Sequence, residues 1–140
     1  MIDVPVTSAM AERELLIGPR ATTVVAAEQL RDPETPALFV QDETETLVGV
    51  VTESDIVATI AEGGTNPPVE SYMSTPVQTV DPKVTVGLAA DRMRDSGVTV
   101  LPVVDDGYEG FVTGEQLAPY LPRHRLDISW NGDPIRLPDS

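Results

Sequence analysis

The 140-residue sequence has no cysteine, a single histidine and a single lysine, Lys83. Disulfides, thiolate catalysis and zinc sites built from Cys or His are therefore excluded, and any catalysis would rest on carboxylates and hydroxyls. No nucleophile with a partner base and no set of metal ligands stands out, so we expect that the chain is not an enzyme. Aromatic residues make up only 4% of the chain, so the core has to be built from aliphatic side chains.

Long apolar runs are also missing. No stretch approaches the roughly 20 apolar residues that span a bilayer, and residues 1–16 show neither the basic segment nor the apolar run of a signal peptide. We therefore expect a soluble, cytoplasmic protein. With 41% hydrophobic residues, the chain has enough apolar side chains to fold as a single compact unit.

Acidic residues dominate the charge, since 23 Asp and Glu stand against nine Lys and Arg, for a formal net charge of -14. Such a surface repels nucleic acid and anionic membranes, because binding phosphates requires positive charge. Many carboxylates, almost no lysine, and abundant Val and Thr are typical of halophiles that keep molar salt in the cytoplasm, where the Debye length falls to roughly 3 Å. We therefore expect an acidic protein of a halophilic archaeon.

The sequence contains an internal repeat. Met10 aligns with Met73, an offset of 63 residues, and PVTSAM lies over PVESYM. After Asp105 the second copy is two residues shorter, so that GVVTESD from position 49 aligns with GFVTGEQ from position 110. Two copies are too few for a solenoid, which needs at least three units. The repeat instead predicts two units related by a pseudo-twofold axis.

Both copies predict the same order of elements. A short strand precedes a helix with apolar residues at i, i+3, i+4 and i+7; two apolar runs joined by acidic and glycine residues then indicate a β-hairpin, and a second helix follows. Each copy is therefore a β-α-β-β-α unit, and the fold class is α+β. The apolar stripes of the first helices are Val86, Ala89, Ala90 and Met93 in the second copy, and Thr23, Ala26, Ala27 and Leu30 in the first.

The repeat also defines the predicted organisation of the chain. The segment between the copies reads GGTNPP, which favours a linker. The tail contains an Asn-Gly pair between apolar residues, a hairpin signal, and the only tryptophan. That tail either covers sheet surface or contacts a partner subunit. The predicted boundaries are 4–62 for repeat 1, 63–68 for the linker, 69–122 for repeat 2 and 123–140 for the tail.

The motifs V-x-x-x-M, T-V-x-P, G-V-x-x-L-P-V-V-D and G-V-V-T-x-x-D occur in this order across residues 4–122. Together they resemble the cystathionine-β-synthase (CBS) domain, and the two copies resemble the tandem CBS pair, or Bateman module. The resemblance implies two sheets packed against each other, with two clefts related by the pseudo-twofold axis. It also implies a regulatory adenosine-containing ligand such as AMP, ADP, ATP or S-adenosylmethionine, a separate effector protein, and a homodimer.

Thr52 and Asp55, in the G-V-V-T-x-x-D motif, have two interpretations. The spacing forms a capping box at a helix start, which stabilises a helix by about 1 kcal/mol. The family instead implies that the hydroxyl and the carboxylate bind the ribose of the ligand, by charge-assisted hydrogen bonds. In the second copy Thr113 is kept but Gln116 replaces the Asp. A capping box survives there without a carboxylate, so we expect at most one nucleoside site, around Thr52 and Asp55.

The resemblance adds further ligand-binding candidates: Gly49 and Val50, and the stretch from Gly97 to Pro102 that forms part of an adenine wall. That stretch is GVTVLP in the second copy but ETPALF in the first, so the carboxylate and the wall lie in different repeats. Ala58 stands where ligand-binding relatives often carry a cation for phosphate. With a net charge of -14, a nucleoside or a monophosphate is therefore easier to bind than ATP.

The expected function is a stand-alone regulatory module that senses an adenosine-type ligand in one inter-repeat cleft and signals to a separate protein. The alternative is a ligand-free interaction or scaffold module in which Thr52 and Asp55 only cap a helix. Neither function involves a nucleic acid or a membrane, because the surface has the wrong charge for both.

Overall fold

The structure, a computed structural model, describes residues 4–122. Repeat 1 has the predicted order of a short strand, a helix, two strands and a second helix. Its elements are β1 (Leu16–Ile17), α1 (Thr23–Leu30), β2 (Leu38–Gln41), β3 (Leu47–Val51) and α2 (Glu53–Ala61).

Repeat 2 follows the same order with two reductions. Its first strand is a single parallel bridge between Val80 and Val103. Its last helix has only four residues and is followed by a 3-10 turn at Ala118–Tyr120, because Pro119 has no backbone N–H to continue an α-helix. The elements are α3 (Val86–Ser96), β4 (Val100–Val104), β5 (Tyr108–Thr113) and α4 (Gly114–Leu117).

The two sheets are built alike. In repeat 1, β2 lies between β1, to which it is parallel, and β3, to which it is antiparallel. In repeat 2, β4 and β5 form an antiparallel pair. The register of each hairpin shifts once, after Val40 in repeat 1 and after Val103 in repeat 2, and these residues are equivalent at the offset of 63. The two hairpins thus share the same register shift at equivalent positions.

A threonine begins the first helix of each repeat. Thr22 Oγ1 accepts a hydrogen bond from the N–H of Val25 at 3.5 Å, and Thr85 Oγ1 accepts one from the N–H of Leu88 at 3.3 Å. The predicted apolar stripes are confirmed, since every member is buried except Ala27, which is half-buried.

Three apolar clusters form the core. One belongs mainly to repeat 1 and includes Leu38 and Val40, and one belongs mainly to repeat 2 and includes Leu101 and Val103. The third joins the repeats, because it combines residues of both sheets. The predicted packing of one sheet against the other occurs at this third cluster. Its buried residues are Leu15, Ala37, Phe39, Val100 and Phe111.

Each repeat sends its first segment to the other. We call residues 4–11 and 67–74 the entry segments. Val6, in the first entry segment, belongs to the core cluster of repeat 2, and Val69, in the second, belongs to that of repeat 1. Both Val6 and Val69 have no exposed surface. The two repeats therefore share their cores by a reciprocal exchange.

Backbone hydrogen bonds hold the entry segments in place. Ala11 pairs with Phe111 in both directions, at 2.9 and 3.0 Å, and Ser74 pairs with Val50 in both directions, at 2.9 and 3.0 Å. Ala11 and Ser74 are equivalent in the repeat, as are Val50 and Phe111. Each entry segment thus adds a bridge to the edge strand of the other repeat, and the pseudo-twofold relation extends to these bridges.

The predicted linker docks on α1. The Asn66 side chain accepts a hydrogen bond from the N–H of Val24 at 2.8 Å, and the Pro67 carbonyl accepts one from the hydroxyl of Thr23 at 2.7 Å. Gly63 follows α2 with a φ of 90°, which favours glycine. The boundaries drawn at 4–62, 63–68 and 69–122 stay a prediction. The tail 123–140, with its hairpin signal, lies outside the described residues.

Candidate functional site

The junction of β3 and α2 positions the predicted site. Thr52 has extended backbone angles, φ -123° and ψ 173°, and the helix begins at the next residue. The Asp55 N–H donates to the Thr52 carbonyl at 3.1 Å, which closes the first turn. Thr52 and Asp55 therefore lie side by side at the N-terminus of α2, where the helix dipole favours negative charge.

Asp55 is held by one of its two carboxylate oxygens. Asp55 Oδ2 accepts hydrogen bonds from the Thr52 N–H at 2.9 Å and from the Thr52 hydroxyl at 3.3 Å. Asp55 is half-buried. Among residues 4–122, Oδ1 has no hydrogen-bond donor, so this oxygen can accept a hydrogen bond from a ligand.

The equivalent junction in repeat 2 is a complete capping box. The Thr113 N–H donates to Gln116 Oε1 at 2.8 Å, and the Gln116 N–H donates to Thr113 Oγ1 at 3.3 Å. The Gln116 side chain has only one oxygen, and the cap occupies it. The other end of its amide is an NH₂ group, which donates and does not accept. The two junctions share the cap and differ in the free group, an acceptor in repeat 1 and a donor in repeat 2.

Gly49 and Val50, predicted from the resemblance, have structural partners. A Cβ on Gly49 would lie 2.3 Å from Met73 Sδ, so the glycine makes room for that methionine. Val50 pairs with Ser74 and packs against the cluster between the sheets. These contacts fix the end of β3 from which Thr52 extends.

Gly97 and Pro102 lie in repeat 2. Gly97 ends α3 with a φ of 73°, and its N–H donates to the Met93 carbonyl at 2.9 Å. Pro102 is buried in β4, and its carbonyl accepts a hydrogen bond from the N–H of Val80 at 3.0 Å. None of the hydrogen bonds described for residues 4–122 joins either residue to Asp55. The structure thus groups the candidates of repeat 1 and leaves the predicted adenine wall in the other repeat.

Two polar residues near the site did not stand out in the sequence. Ser54 Oγ lies 3.3 Å from Thr52 Oγ1, and the side chain is exposed. Arg31, at the end of α1, lines a groove between α1 and α2 together with Ser54 and Glu53. The groove is otherwise apolar, and Asp55 does not line it. The sequence signal for Arg31 was its alignment with Arg94, which instead pairs with acidic neighbours at 3.4 and 3.7 Å.

The acidic hairpin turn of repeat 1 is organised by its own hydrogen bonds. Asp42 Oδ1 accepts from the Thr44 hydroxyl at 2.7 Å, from the Thr44 N–H at 2.9 Å and from the Thr46 N–H at 3.0 Å. These bonds, led by the one from the Thr44 side chain, lower the pKa of Asp42 below its ordinary value. Within residues 4–122, no group of three acidic or histidine side chains is placed to hold a metal ion.

Comparison with known proteins explains this architecture. The sequence matches the CBS domain family twice, over residues 6–62 and 69–123. The chain belongs to the CBS domain family. The two matches cover both repeats, so the fold is a tandem CBS pair, as the sequence motifs predicted.

Among curated relatives, an uncharacterized protein of Methanopyrus kandleri is 33% identical over 121 residues, which is 80% of this chain and 62% of that protein. The L-aspartate semialdehyde sulfurtransferase of Methanosarcina acetivorans is 32% identical over 120 residues, or 84% of this chain and 24% of the enzyme. The chain therefore spans less than two thirds of either relative. CBS pairs are generally regulatory modules, and the match to the sulfurtransferase covers only part of that enzyme.

Solved CBS proteins share the fold. The CBS protein TA0289 of Thermoplasma acidophilum superposes with a TM-score of 0.80 at 23% identity, covering 92% of this chain and 75% of that one. The CBS pair of protein MJ0100, in complex with 5′-methylthioadenosine and S-adenosyl-L-methionine, has a TM-score of 0.76 at 26% identity, covering 85% and 95%. CBSX2 in complex with AMP has a TM-score of 0.71 at 25% identity, covering 89% and 98%.

In residues 4–122 of the CBS pair, no helix has the length and apolar character to cross a membrane.

Proposed function

We propose that this CBS pair is a regulatory module that senses an adenosine-containing small molecule in one inter-repeat cleft and signals to a separate partner protein. The observation that carries the proposal is Asp55, whose Oδ2 is fixed by Thr52 while Oδ1 lacks a hydrogen-bond donor among residues 4–122. The adenosine-type ligands of MJ0100 and CBSX2 support the ligand class.

The chemistry of Asp55 suits a ribose. A ribose carries two adjacent hydroxyls that donate hydrogen bonds, and an ionised carboxylate has two oxygens with about four acceptor positions. Oδ2 uses two of these positions for Thr52, which holds the carboxylate in one orientation. Oδ1 keeps its positions for the ligand, and a hydrogen bond to a charged acceptor is stronger than one to a neutral amide.

The same reasoning assigns the ligand to repeat 1. Gln116 holds its only oxygen in the cap and, unlike Asp55, has neither a second oxygen nor a negative charge for the ribose. Gly49, Val50, Gly97 and Pro102 contribute to ligand binding, if at all, through backbone and apolar contacts, since their side chains carry no polar group. One site for each chain is therefore proposed.

The charge of the protein limits the ligand further. Ala58, one helical turn beyond Asp55, carries no charge, and Glu53 adds a second carboxylate to the first turn of α2. A polyphosphate would be repelled by this end of the helix, whereas a nucleoside, an AMP-like nucleotide or S-adenosylmethionine carries less negative charge. We rank ATP last for this reason.

The setting of the module belongs to the same proposal. We propose that it acts in the cytoplasm of a halophilic archaeon, as a homodimer, and that its output passes to an effector protein. The net charge of -14 supports a high-salt environment, in which the mutual repulsion of carboxylates is screened. It also disfavours nucleic acids and anionic membranes as partners.

A ligand-free scaffold is the second candidate function. The observation that favours it is that the Thr-x-x-Asp pair and the Thr-x-x-Gln pair make the same bond from the cap N–H to the side chain, at 2.9 and 2.8 Å. A helix cap alone would account for this geometry. In the sensor function the carboxylate of Asp55 binds the ligand, whereas in the scaffold function it only caps α2.

The deciding experiment uses Asp55→Gln, which copies the cap of repeat 2 and removes the carboxylate. Thermal unfolding of the wild type and the variant would be measured in about 2 M KCl, with adenosine, AMP, ADP, ATP or S-adenosylmethionine at millimolar concentration. A ligand that binds only the folded state stabilises it by about 2.7 kcal/mol at 100 times Kd. We expect one of the less charged ligands to raise the midpoint of the wild type and not that of Asp55→Gln.

A matched ligand isolates the ribose contact. 2′,3′-Dideoxyadenosine lacks both hydroxyls and should produce no shift in the wild type where adenosine does. A shift that persists in Asp55→Gln would show that Asp55 is not the ribose acceptor. If no ligand shifts the wild type, the scaffold function replaces the sensor function.

A further inference from the structure

All the sulfur of this protein is in methionine. The chain has four methionines and no cysteine, so an oxidant that attacks sulfur acts on thioethers and not on thiols. Met93 is 7% exposed in the core of repeat 2, whereas Met10 and Met73 are half-buried. Because methionine oxidation follows exposure, Met10 and Met73 are the more reactive of these three residues. Met1 lies outside the described residues.

Each of these two methionines packs against the edge strand of the other repeat. A Cβ on Gly49, in β3, would lie 2.3 Å from Met73 Sδ, and a Cβ on Gly110, in β5, would lie 2.9 Å from Met10 Sδ. Met73 also packs against the core cluster of repeat 1, and Met10 against that of repeat 2. The two sulfurs are therefore part of the contacts by which the repeats exchange their entry segments.

The oxygen of a sulfoxide does not fit the contact between Met73 and Gly49. Even a carbon on Gly49 would be only 2.3 Å from Met73 Sδ, so the space between the sulfur and the strand has no room for another heavy atom. An oxygen on the other side of the sulfur makes the side chain polar, and a polar group in an apolar contact is unfavourable unless it is hydrogen-bonded. Either position weakens the packing of Met73 on β3 and on the core of repeat 1.

The packing of Met73 adjoins the hydrogen bonds that hold β3. Ser74, the next residue, exchanges backbone hydrogen bonds with Val50 at 2.9 and 3.0 Å. Val50 lies two residues before Thr52, whose N–H and hydroxyl hold Asp55 Oδ2. A displacement of Met73 therefore acts on the strand that positions the candidate ligand site.

Met10 is the matched sulfur at the other junction. Gly110, which Met10 contacts, lies three residues before Thr113. That junction carries Gln116 and has no carboxylate at this position. Oxidation of Met10 should therefore leave Asp55 in place, and the chain contains its own control.

We propose that Met73 is an oxidation site that controls the candidate ligand site. Hydrogen peroxide transfers an oxygen atom to Met73 Sδ: the O–O bond breaks, an S–O bond forms, the sulfur is oxidised to the sulfoxide, and the peroxide is reduced to water. The second entry segment then loosens from β3, and the affinity of the Asp55 site for its ligand falls. The loss of affinity rests on the proposed function, whereas the loosening of the entry segment does not.

Hydrogen–deuterium exchange of the full chain, without ligand, tests the loosening. Met10→Leu leaves Met73 to be oxidised and Met73→Leu leaves Met10, and swaps that conserve volume are well tolerated. After peroxide treatment, the amides of Val50 and Ser74 should exchange at least about fivefold faster in Met10→Leu and less than about twofold faster in Met73→Leu. Peptide mass spectrometry shows which sulfur carries the oxygen, and methionine sulfoxide reductases should restore the slow exchange.

A variant that needs no oxidant checks the same step. Met73→Gln places an uncharged polar group at the position of the sulfur and should also speed the exchange of Val50 and Ser74, with unchanged far-UV circular dichroism as the check of folding. Unchanged exchange of these amides when Met73 is fully oxidised overturns the proposal. So does oxidation of Met93 before Met73.

Ligand binding separates this proposal from the proposed function. Adenosine, AMP and S-adenosylmethionine are titrated into both leucine variants before oxidation and after the peroxide is removed. The dissociation constant of the ligand that binds should rise at least about fivefold in oxidised Met10→Leu and less than about twofold in oxidised Met73→Leu. Equal affinities of the two oxidised variants overturn the control of the site. If no ligand binds the untreated wild type, the proposed function fails, and amide exchange still decides whether oxidation of Met73 loosens the entry segment.

Discussion

Met73 lies directly over Gly49. A Cβ built on Gly49 would come within 2.3 Å of the methionine sulfur, and the equivalent Gly110 would place a Cβ 2.4 Å from the Ala11 carbonyl oxygen and 2.7 Å from Met10 Cγ. Each glycine lets the entry segment of one repeat approach the edge strand of the other. Gly49, which contacts Met73, lies three residues before Thr52 in the sequence. The exchange of entry segments and the candidate site therefore both involve β3.

Gly110→Ala is predicted to destabilise the protein more than Gly49→Ala. The new methyl group at 49 meets a flexible methionine side chain, whereas at 110 it also meets backbone that pairs with β5. Overpacking typically costs about 1–3 kcal/mol, and we expect Gly49→Ala at the lower end and Gly110→Ala at or above the upper end. Urea unfolding of both variants measures the difference. Equal losses would contradict the account of the two contacts.

Asp55→Gln is predicted to retain the stability of the wild type within about 0.5 kcal/mol, because Gln116 shows that glutamine makes the same cap. Asp55→Ala removes the bond to the Thr52 N–H and should cost about 1 kcal/mol. Gln116→Ala is the matched change in repeat 2 and should cost a similar amount. Chemical unfolding without ligand makes the comparison. If Asp55→Gln loses as much as Asp55→Ala, the cap at this junction needs the charge.

Thr23→Val is predicted to cost about 1 kcal/mol. Thr23 is only 1% exposed, and its hydroxyl joins Tyr72, which donates to it at 3.0 Å, to the Pro67 carbonyl at 2.7 Å. Valine keeps the shape and leaves the Tyr72 hydroxyl without this acceptor, at the usual net cost of a hydrogen bond. Tyr72→Phe removes the same bond from the other side. If the bond is the cause, the double variant should be less destabilised than the sum of the single ones.

The stability of the protein should depend on pH through Asp42. The folded pKa of Asp42 lies below 3.8, first of all because of the Thr44 hydroxyl. A lowered folded pKa means that the contribution is present above the unfolded pKa and is lost as the pH falls through the folded pKa. Thr44→Val should raise the pKa of Asp42 towards 3.8. Carboxyl NMR titration measures the shift, and the stability difference between Thr44→Val and the wild type should shrink as the pH falls from 3.8 through the folded pKa of Asp42.

Much of the fold could be predicted because the sequence pattern of each element occurs twice, once in each repeat. The helix stripe Val86, Ala89, Ala90 and Met93 is buried, and the strands lie where the apolar runs placed them. These features are local, so a period in the sequence is enough to identify them.

The exchange of entry segments could not be predicted in the same way. Val6 and Val69 occupy equivalent positions, and an alignment of the repeats is identical whether each valine packs on its own repeat or on the other. Which arrangement forms depends on how far the linker between the repeats reaches in space. An alignment of the two repeats does not contain this distance. The exposure of apolar residues on α2 was missed for a related reason, since a residue such as Val57 reads as core until its neighbours are known.

For the candidate site, the sequence predicted the residues and the structure supplied the difference between the repeats. The Thr-x-x-Asp spacing predicts both a cap and a ligand site, and the structure shows that one oxygen of Asp55 makes the cap while the other has no donor among residues 4–122. The roles of Gly97 and Pro102 in a ligand site stay a prediction. In the structure the hydrogen bond of Gly97 ends α3, and that of Pro102 joins β4 to Val80.

Because the two repeats exchange their entry segments, a chain cut between the repeats would leave each half with an incomplete core. A half-chain of residues 4–62 would retain Val6 without the core that buries it and would lack Val69, which fills its own core. Such a half cannot complete itself, but two identical halves could complete each other by trading their first segments. A single-repeat ancestor built in this way would have been stable only as a swapped pair of short chains, and joining two genes end to end would have turned that obligate partnership into one polypeptide.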